Sequence, residues 1–353
     1  MAFPAAPPAP AASSGSSGGP ASTAGAGVAD LASGGQAPGG QGPRVTDRLR
    51  ALVGRFGLSG RNAVIAVPYF WLLLFFLVPF LIVGKIALSE AAIRIPPYLP
   101  ILDWSPQETM LTIKLNLNNF AFMLRDDLYI VAYLNSLKIA FISTVICILI
   151  GYPVAYAIAK ADATWRAPLL MLIILPFWTS FLIRVYAWIV LLRDEGLVTA
   201  NLNAVLLSLG IIDQPLKILY TPTAAYIGIV YSYLPFMILP LYATLEKLDN
   251  TLLEAASDLG SPPWKSFLTI TLPLSLPGVL AGSLLVFIPA TGEFVIPELL
   301  GGPDTLMIGQ VLWAEFFNNR DWPVASAVAI ALLLFLVVPI MLFQNVQGRQ
   351  EGR

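Results

Sequence analysis

Six stretches of the chain are apolar over roughly the twenty residues that a helix needs to cross a ~30 Å hydrocarbon core. They fall at 63–88, 137–159, 168–192, 223–245, 274–297 and 323–345. Composition agrees: 57% of the 353 residues are hydrophobic and 12% are charged, against about 45–50% and about 25% in an ordinary soluble domain. The expected fold class is therefore all-α, a polytopic membrane protein with six transmembrane helices.

Arginine placement gives the orientation. Residues 1–43 are mostly Ala, Gly, Pro and Ser. That composition cannot bury enough apolar surface to offset its ordering entropy, so a disordered tail is expected. A basic juxtamembrane segment follows at 44–62, with Arg44, Arg48, Arg50, Arg55 and Arg61. Basic residues flanking a span stay on the cytoplasmic side. Six crossings within a transmembrane domain of 63–345 then return the tail 346–353, with Arg349 and Arg353, to the cytoplasm. The loop 160–167, with Lys160 and Arg166, and the loop 246–273 are also placed inside. Residues 89–136, 193–222 and 298–322 are placed outside, with a short surface helix expected at 201–209. Asp304 is a suitable N-cap for an amphipathic helix over 304–317, with Leu306, Ile308, Val311, Leu312 and Phe316 as its apolar side. Such a helix supports a docked partner or packs as a lid over the spans.

The inside loop 246–273 carries the most patterned polar stretch, EAASDLGSPPWKSFLTITLP at 254–273. Thr251 and Glu254 have the spacing of a capping box. Leu252, Ala255, Ala256 and Leu259 make one narrow helical stripe. Gly260 stands where a helix ends in the left-handed conformation. Ser261 and Pro262 suit the N-cap and first position of a second helix, whose apolar side is Trp264, Phe267 and Leu268.

Few residues can carry chemistry. The chain has no histidine, which removes the usual neutral-pH base and the commonest metal ligand. It has no G-x-x-x-x-G-K-[ST] stretch, so ATP hydrolysis by that route belongs elsewhere. The one cysteine, Cys147, lies in an apolar run and reads as a buried thiol. Glu293, in FIPATGEFVIPE, sits inside the fifth apolar stretch behind Pro289 and Gly292, which suggest a kinked or broken helix. A carboxylate there faces a cavity that attracts a cation, or serves a structural pair with a basic residue or backbone N–H. Arg184 in the third stretch is a possible partner, or snorkels to the interface. Of the aromatic residues, which commonly form interfacial belts, Trp178 and Tyr233 lie near mid-span and are candidates to face the amine of a substrate.

A family resemblance joins these features. Glu254-Ala255-Ala256, Gly260, Ile270 and Leu272-Pro273, at their spacing, resemble the EAA loop of bacterial ABC importer permeases. PFWTSFLIRVYAWIVLLRDEG at 176–196 and GEFVIPELLGGPDTLMIGQVLWAEFF within 292–334 resemble polyamine importer permeases, most closely those of putrescine systems. The resemblance covers about residues 60–346. It implies the type I ABC importer permease fold, with a five-helix core and a peripheral first span, in the bacterial cytoplasmic (inner) membrane. It also implies a second homologous permease subunit, a cytoplasmic ABC ATPase dimer and a periplasmic substrate-binding protein. The ATPase-coupling residues are then Glu254, Ala255, Ala256, Gly260, Pro262 and Phe267, and the substrate path holds Glu293, Trp178 and Tyr233. The cargo implied is a polyamine, with putrescine, spermidine or another small solute as alternatives. An ion-coupled secondary transporter is the rival class. No catalytic, metal or cofactor residue is expected, nor a nucleic-acid partner; lipid surrounds the spans.

Overall fold

The computed structural model describes residues 60–105 and 110–351. The tail 1–43, the segment 44–59, residues 106–109 and the last two residues lie outside them, and with them Arg44, Arg48, Arg50, Arg55 and Arg353 of the arginines behind the expected orientation.

The first apolar stretch is helix α1 (Gly60–Leu72), a π turn (Leu73–Leu77) and helix α2 (Val78–Ala87). Phe70, Trp71, Phe75 and Phe76 are each more than half exposed. Apolar surface costs about 25 cal/mol per Å² in water, so this uncovered helix suits contact with lipid. Its last turn is anchored: α2 packs on helix α14 (Trp322–Glu351). Buried Asn119 also donates from Nδ2 to the carbonyls of Ala87 and Ser89, both at 2.8 Å.

The segment after α2 is more structured than its loop-like sequence suggests. Strands β1 (Leu102–Ser105) and β2 (Met110–Ile113) pair antiparallel, Leu102 opposite Ile113. Helix α3 (Asn118–Arg125) follows, and Asp126 caps α4 (Asp127–Lys160) by accepting the Leu128 N–H at 2.9 Å. At 34 residues, α4 is about 51 Å long, so it overhangs the hydrocarbon thickness and starts ten residues before the expected 137.

The third apolar stretch is not one helix. Helix α5 (Ala163–Ile174) tightens into a 3₁₀ turn (Leu175–Trp178), and α6 (Phe181–Leu192) departs in a new direction. The segments Ala163–Trp178 and Phe181–Ser208 meet at 91°. Pro176 has no N–H to give, and the Thr179 hydroxyl takes the Pro176 carbonyl at 2.7 Å. Thr179 and Ser180 are then extended, which ends the helix. Helix α7 (Leu197–Ser208) matches the surface helix expected nearby. Counting the bent pair as one, six helical segments among the described residues are long and apolar enough to cross a membrane.

Helices α4, α8 (Pro222–Leu245) and α11 (Leu272–Thr291) form the centre of the bundle. Cys147, Met237, Ile238, Leu241 and Val286 are buried together there. Close approach depends on Gly278 and Gly282, spaced i, i+4 on α11. A Cβ at Gly282 would stand 2.8 Å from the Met237 sulfur, and one at Gly278 would stand 2.5 Å from Thr244 Oγ1. Small residues at this spacing let helix backbones meet in lipid, where packing rather than the hydrophobic effect drives association. Gly282→Leu should therefore force α11 from α8 and cost roughly 1–3 kcal/mol. A lowered midpoint of thermal unfolding in detergent is the expected reading, with Leu285→Ala on the exposed side of α11 as the mild control.

The amphipathic helix expected over 304–317 starts later. Pro303–Thr305 is a 3₁₀ turn, Leu306 and Met307 are extended, and α13 runs Ile308–Trp313 into a π turn, Ala314–Asn318. Asp304 is not its cap. The Thr305 hydroxyl takes the Gly302 carbonyl at 2.5 Å, while Gln310 Oε1 accepts the Met307 N–H at 2.9 Å. Ile308 and Val311 bury against Tyr129 and Val328.

Candidate transport site and coupling hairpin

The break in the fifth apolar stretch lies where Pro289 and Gly292 suggest it. Helix α11 ends at Thr291, and α12 (Val295–Leu300) begins after Phe294. Glu293, 8% exposed, occupies the gap. Its Oε1 accepts the N–H groups of Phe294, Val295 and Ile296 at 3.2, 3.0 and 3.4 Å, closing the first turn of α12. Its Oε2 accepts the Tyr233 hydroxyl at 2.5 Å. Backbone donors and a helix start both favour negative charge at that point. Tyr233 reaches it from mid-α8, two residues before Pro235. Glu293 and Tyr233, each picked out from sequence, are thus brought together.

Trp178 is not brought to them. It ends the 3₁₀ turn at the 91° bend, 78% exposed. A mid-span position assumes the continuous helix that Pro176 prevents. Arg184 does not pair with Glu293 either. Its guanidinium lies over the rings of Phe177 and Phe181, at 5.1 and 5.8 Å. A ladder of rings separates the two charges: Phe177 meets Phe236 edge-on at 5.2 Å, and Phe236 lies 6.2 Å from Tyr233.

Four further residues build the site. Phe294 stacks on Trp313 at 4.7 Å, and Trp313 leans on Phe317 at 4.1 Å, so an aromatic column roofs the break. Gly309 of α13 lies directly on it: a Cβ there would stand 2.5 Å from the Gly292 carbonyl and 2.7 Å from that of Glu293. Of the aromatic residues at 313–317 only Phe316 stands out in sequence, and the register of Trp313 against Phe294, about twenty residues away, is a tertiary fact.

The second candidate element is the hairpin between α8 and α11. Helix α9 spans Asn250–Asp258, and α10 (Pro263–Ser266) runs through a π turn, Phe267–Thr271, into α11. The cap differs from the expected Thr251–Glu254 box: Asp249 accepts the Thr251 N–H at 2.9 Å, which starts the helix before Thr251. At the other end Gly260 takes φ +74°. Gly260 N–H donates to Ser257 O and Ser261 N–H to Ala256 O, both at 2.9 Å. That crossed pair is the Schellman closure. The second helix starts one residue later than expected, with Pro262 at the N-cap and Pro263 first.

Glu254, Ala255, Gly260 and Pro262 are exposed and Ala256 is half-buried. Leu259 and Trp264 are 89% and 66% exposed, leaving the apolar edge of the hairpin uncovered. Phe267 faces the other way. Its ring meets Tyr152 and Tyr156 of α4 edge-on at 5.5 and 6.1 Å, so it ties the hairpin to the bundle. The base is tied again by Lys160 Nζ donating to Asn250 Oδ1 at 2.5 Å and by Arg166 facing Glu246 at 3.4 Å.

A bundle of membrane-length helices with an internal carboxylate and an exposed hairpin suits a membrane transport component. The model of the family described as binding-protein-dependent transport system inner membrane component matches residues 49–349. The chain belongs to that family. It is similar to the spermidine/putrescine transport system permease protein PotB of Salmonella typhimurium (strain SL1344), 40% identical over 284 residues, covering 80% of this chain and 92% of that protein. It is 44% identical over 227 residues to PotB of Escherichia coli (strain K12), covering 64% of this chain and 81% of that one. A crystal structure of a bacterial ABC transporter involved in the import of the acidic polysaccharide alginate shares the fold, with TM-score 0.59 at 17% identity over 86% of this chain and 99% of that chain. The protein is thus an inner-membrane permease component and not itself an enzyme.

The Thr251 N–H holds the Asp249 carboxyl below its ordinary range. A depressed folded pKa gives stability that is present above the unfolded value and lost as pH falls through the folded one. Amide exchange across 250–258 should therefore quicken, after correction for intrinsic rates, as pH drops below about 4. Asp249→Ala should exchange quickly at every pH.

Proposed function

We propose that this chain is one permease subunit of an ATP-driven polyamine importer, with putrescine or spermidine as cargo. The observation that carries the cargo is the Glu293–Tyr233 pair in the broken fifth span, in a chain whose relatives include spermidine/putrescine permeases. Oε2 has one hydroxyl donor, so it keeps acceptor capacity for an ammonium group. Phe236 and Tyr233 supply ring faces beside it. Trp178 is the outlying member of the proposed path.

In this reading a second, homologous permease completes the path, and a periplasmic binding protein delivers the amine to the face formed by 298–322. The N- and C-termini and the hairpin lie in the cytoplasm. A dimer of ABC ATPases receives Glu254, Ala255, Ala256, Gly260 and Pro262 in a groove. ATP-driven closure moves α9, and Phe267 passes that movement to α4 through Tyr152 and Tyr156. The exposed Leu259–Trp264 edge supports a docked partner at this place. The proposed domain division is a transmembrane domain at 63–345 with terminal segments 1–43, 44–62 and 346–353 outside it.

Two outcomes test the reading in cells that carry the partner subunits and lack any other polyamine uptake. Glu293→Gln keeps a capping oxygen for α12 but removes the charge. A charge-assisted contact is worth roughly 1.5–3 kcal/mol, so uptake of putrescine and spermidine should fall about tenfold or more at equal membrane levels. Unchanged uptake kinetics would leave the carboxylate a purely structural cap. Gly260→Val places a β-branched residue at positive φ, which costs roughly 1–2 kcal/mol. Membrane insertion should persist while uptake and stimulated ATP hydrolysis are lost; normal uptake would exclude the coupling role.

A further inference from the structure

We propose that the cavity bordered by Tyr220 and Glu298 is a second binding site, one that holds a primary ammonium group before it reaches Glu293. The proposal rests on the polyamine-importer reading above and adds to it a place where the cargo pauses.

The cavity, of about 310 Å³, lies against α12 and the start of α13, with Tyr220, Glu298, Gly302, Pro303 and Gln310 on its wall. That volume reaches the range of small-molecule sites. Glu298 is the one charged residue on the wall among the described residues. Its carboxylate is held in place. Gln310 Nε2 donates to Glu298 Oε2 at 2.7 Å, and Gln310 is itself fixed, because its Oε1 accepts the Met307 N–H at 2.9 Å. The other oxygen of Glu298 accepts nothing among the described residues. An ammonium group brings three donors and a full charge, and charge-assisted bonds are the strong ones.

Tyr220 supplies the second half of the chemistry. It takes φ +61°, a conformation uncommon for a bulky side chain. Its N–H donates to Leu300 O at 3.0 Å, and its carbonyl lies so close to Gly302 that a Cβ there would collide with it. Both clamps belong to the end of α12 and the turn after it, so one frame carries the ring and the carboxylate. The side chain remains 62% exposed, which leaves a ring face for a cation. Tyr220 also borders a neighbouring cavity, where Arg193 and Lys217 balance Asp194 and Glu195. An amine is therefore drawn to the Glu298 side.

Position joins this site to the break. Glu293 closes the first turn of α12 through three N–H groups, and Glu298 stands in that same turn. Glu293 is buried and Glu298 is exposed. The six residues of α12 span only about 9 Å. A linear polyamine carries more than one ammonium group, so the exposed carboxylate gives the leading one a stop ahead of the buried one.

The test uses the full transporter in membranes, with a thiol added to the cavity wall. Cys147 is buried, so Pro303→Cys is the reactive thiol of this chain. A cationic ethylammonium thiosulfonate should modify it about tenfold faster than the anionic ethylsulfonate analogue. Glu298→Gln keeps an oxygen for Gln310 and should erase that ratio. Putrescine should slow the cationic reagent several-fold, with Glu293 intact and in Glu293→Gln alike. Equal rates for the two reagents, reaction with neither, or no protection by putrescine overturns the proposal. Protection by the binding protein but not by putrescine also overturns it, and assigns the cavity to a lysine of that partner. If the unaltered transporter takes up neither putrescine nor spermidine, the cargo reading fails and the proposal with it. Uptake that falls in Glu293→Gln, without putrescine protection at Pro303→Cys, removes the proposal alone.

Discussion

A helix that stops among apolar helices must find partners for the amide groups it releases, because lipid offers none. The fifth apolar stretch meets that demand with one side chain. Glu293 closes the first turn of α12 through three N–H groups, and Tyr233 of α8 holds the remaining oxygen. Much else follows from this junction. Its position sets where α11 ends, brings α13 onto the gap through Gly309, and fixes the stack of Phe294 on Trp313. A carboxylate that completes the backbone in this way is also held in one place and one orientation. Preorganisation of that kind is what a site for a cation needs.

The third apolar stretch solves the same problem with less. Thr179 satisfies the Pro176 carbonyl from its own hydroxyl, and the chain turns through 91°. The helix that leaves this bend carries Arg184 in its first turn, its guanidinium over the rings of Phe177 and Phe181. One break is closed by a carboxylate set in the gap, the other by a hydroxyl at the bend.

Spans are legible in sequence because twenty apolar residues admit few alternatives. All six apolar stretches reappear, and the break at Gly292 was signalled by Pro289 and by a carboxylate set in an apolar run. The bend at Thr179 was hidden: Pro176 is one of many prolines in these helices, and most, such as Pro235 and Pro240, interrupt nothing. Caps were placed within a few residues but on the wrong side chain. Asp249 won over Thr251, and Gln310 served α13 instead of Asp304. Local patterns offer several capping groups within a turn, and tertiary packing chooses one. Glu293 and Tyr233 could each be picked out by residue type and depth. Their bond joins positions 60 residues apart, which spacing along the chain does not reveal. Phe267 falls on the expected apolar side of the second hairpin helix, and its contacts with Tyr152 and Tyr156, more than a hundred residues away, are not readable from spacing.

The bare backbone of Gly309 has an energetic meaning beyond packing. With no Cβ between them, α13 and the carbonyls of Gly292 and Glu293 share one surface, so neither can shift alone. Two binding events that each move one side of such a surface are thermodynamically linked, and linkage is reciprocal. If seating a partner on α13 loosens the hold on a cation at Glu293 by some factor, a cation at Glu293 loosens that partner by the same factor. Delivery and dismissal would then be two readings of a single free energy.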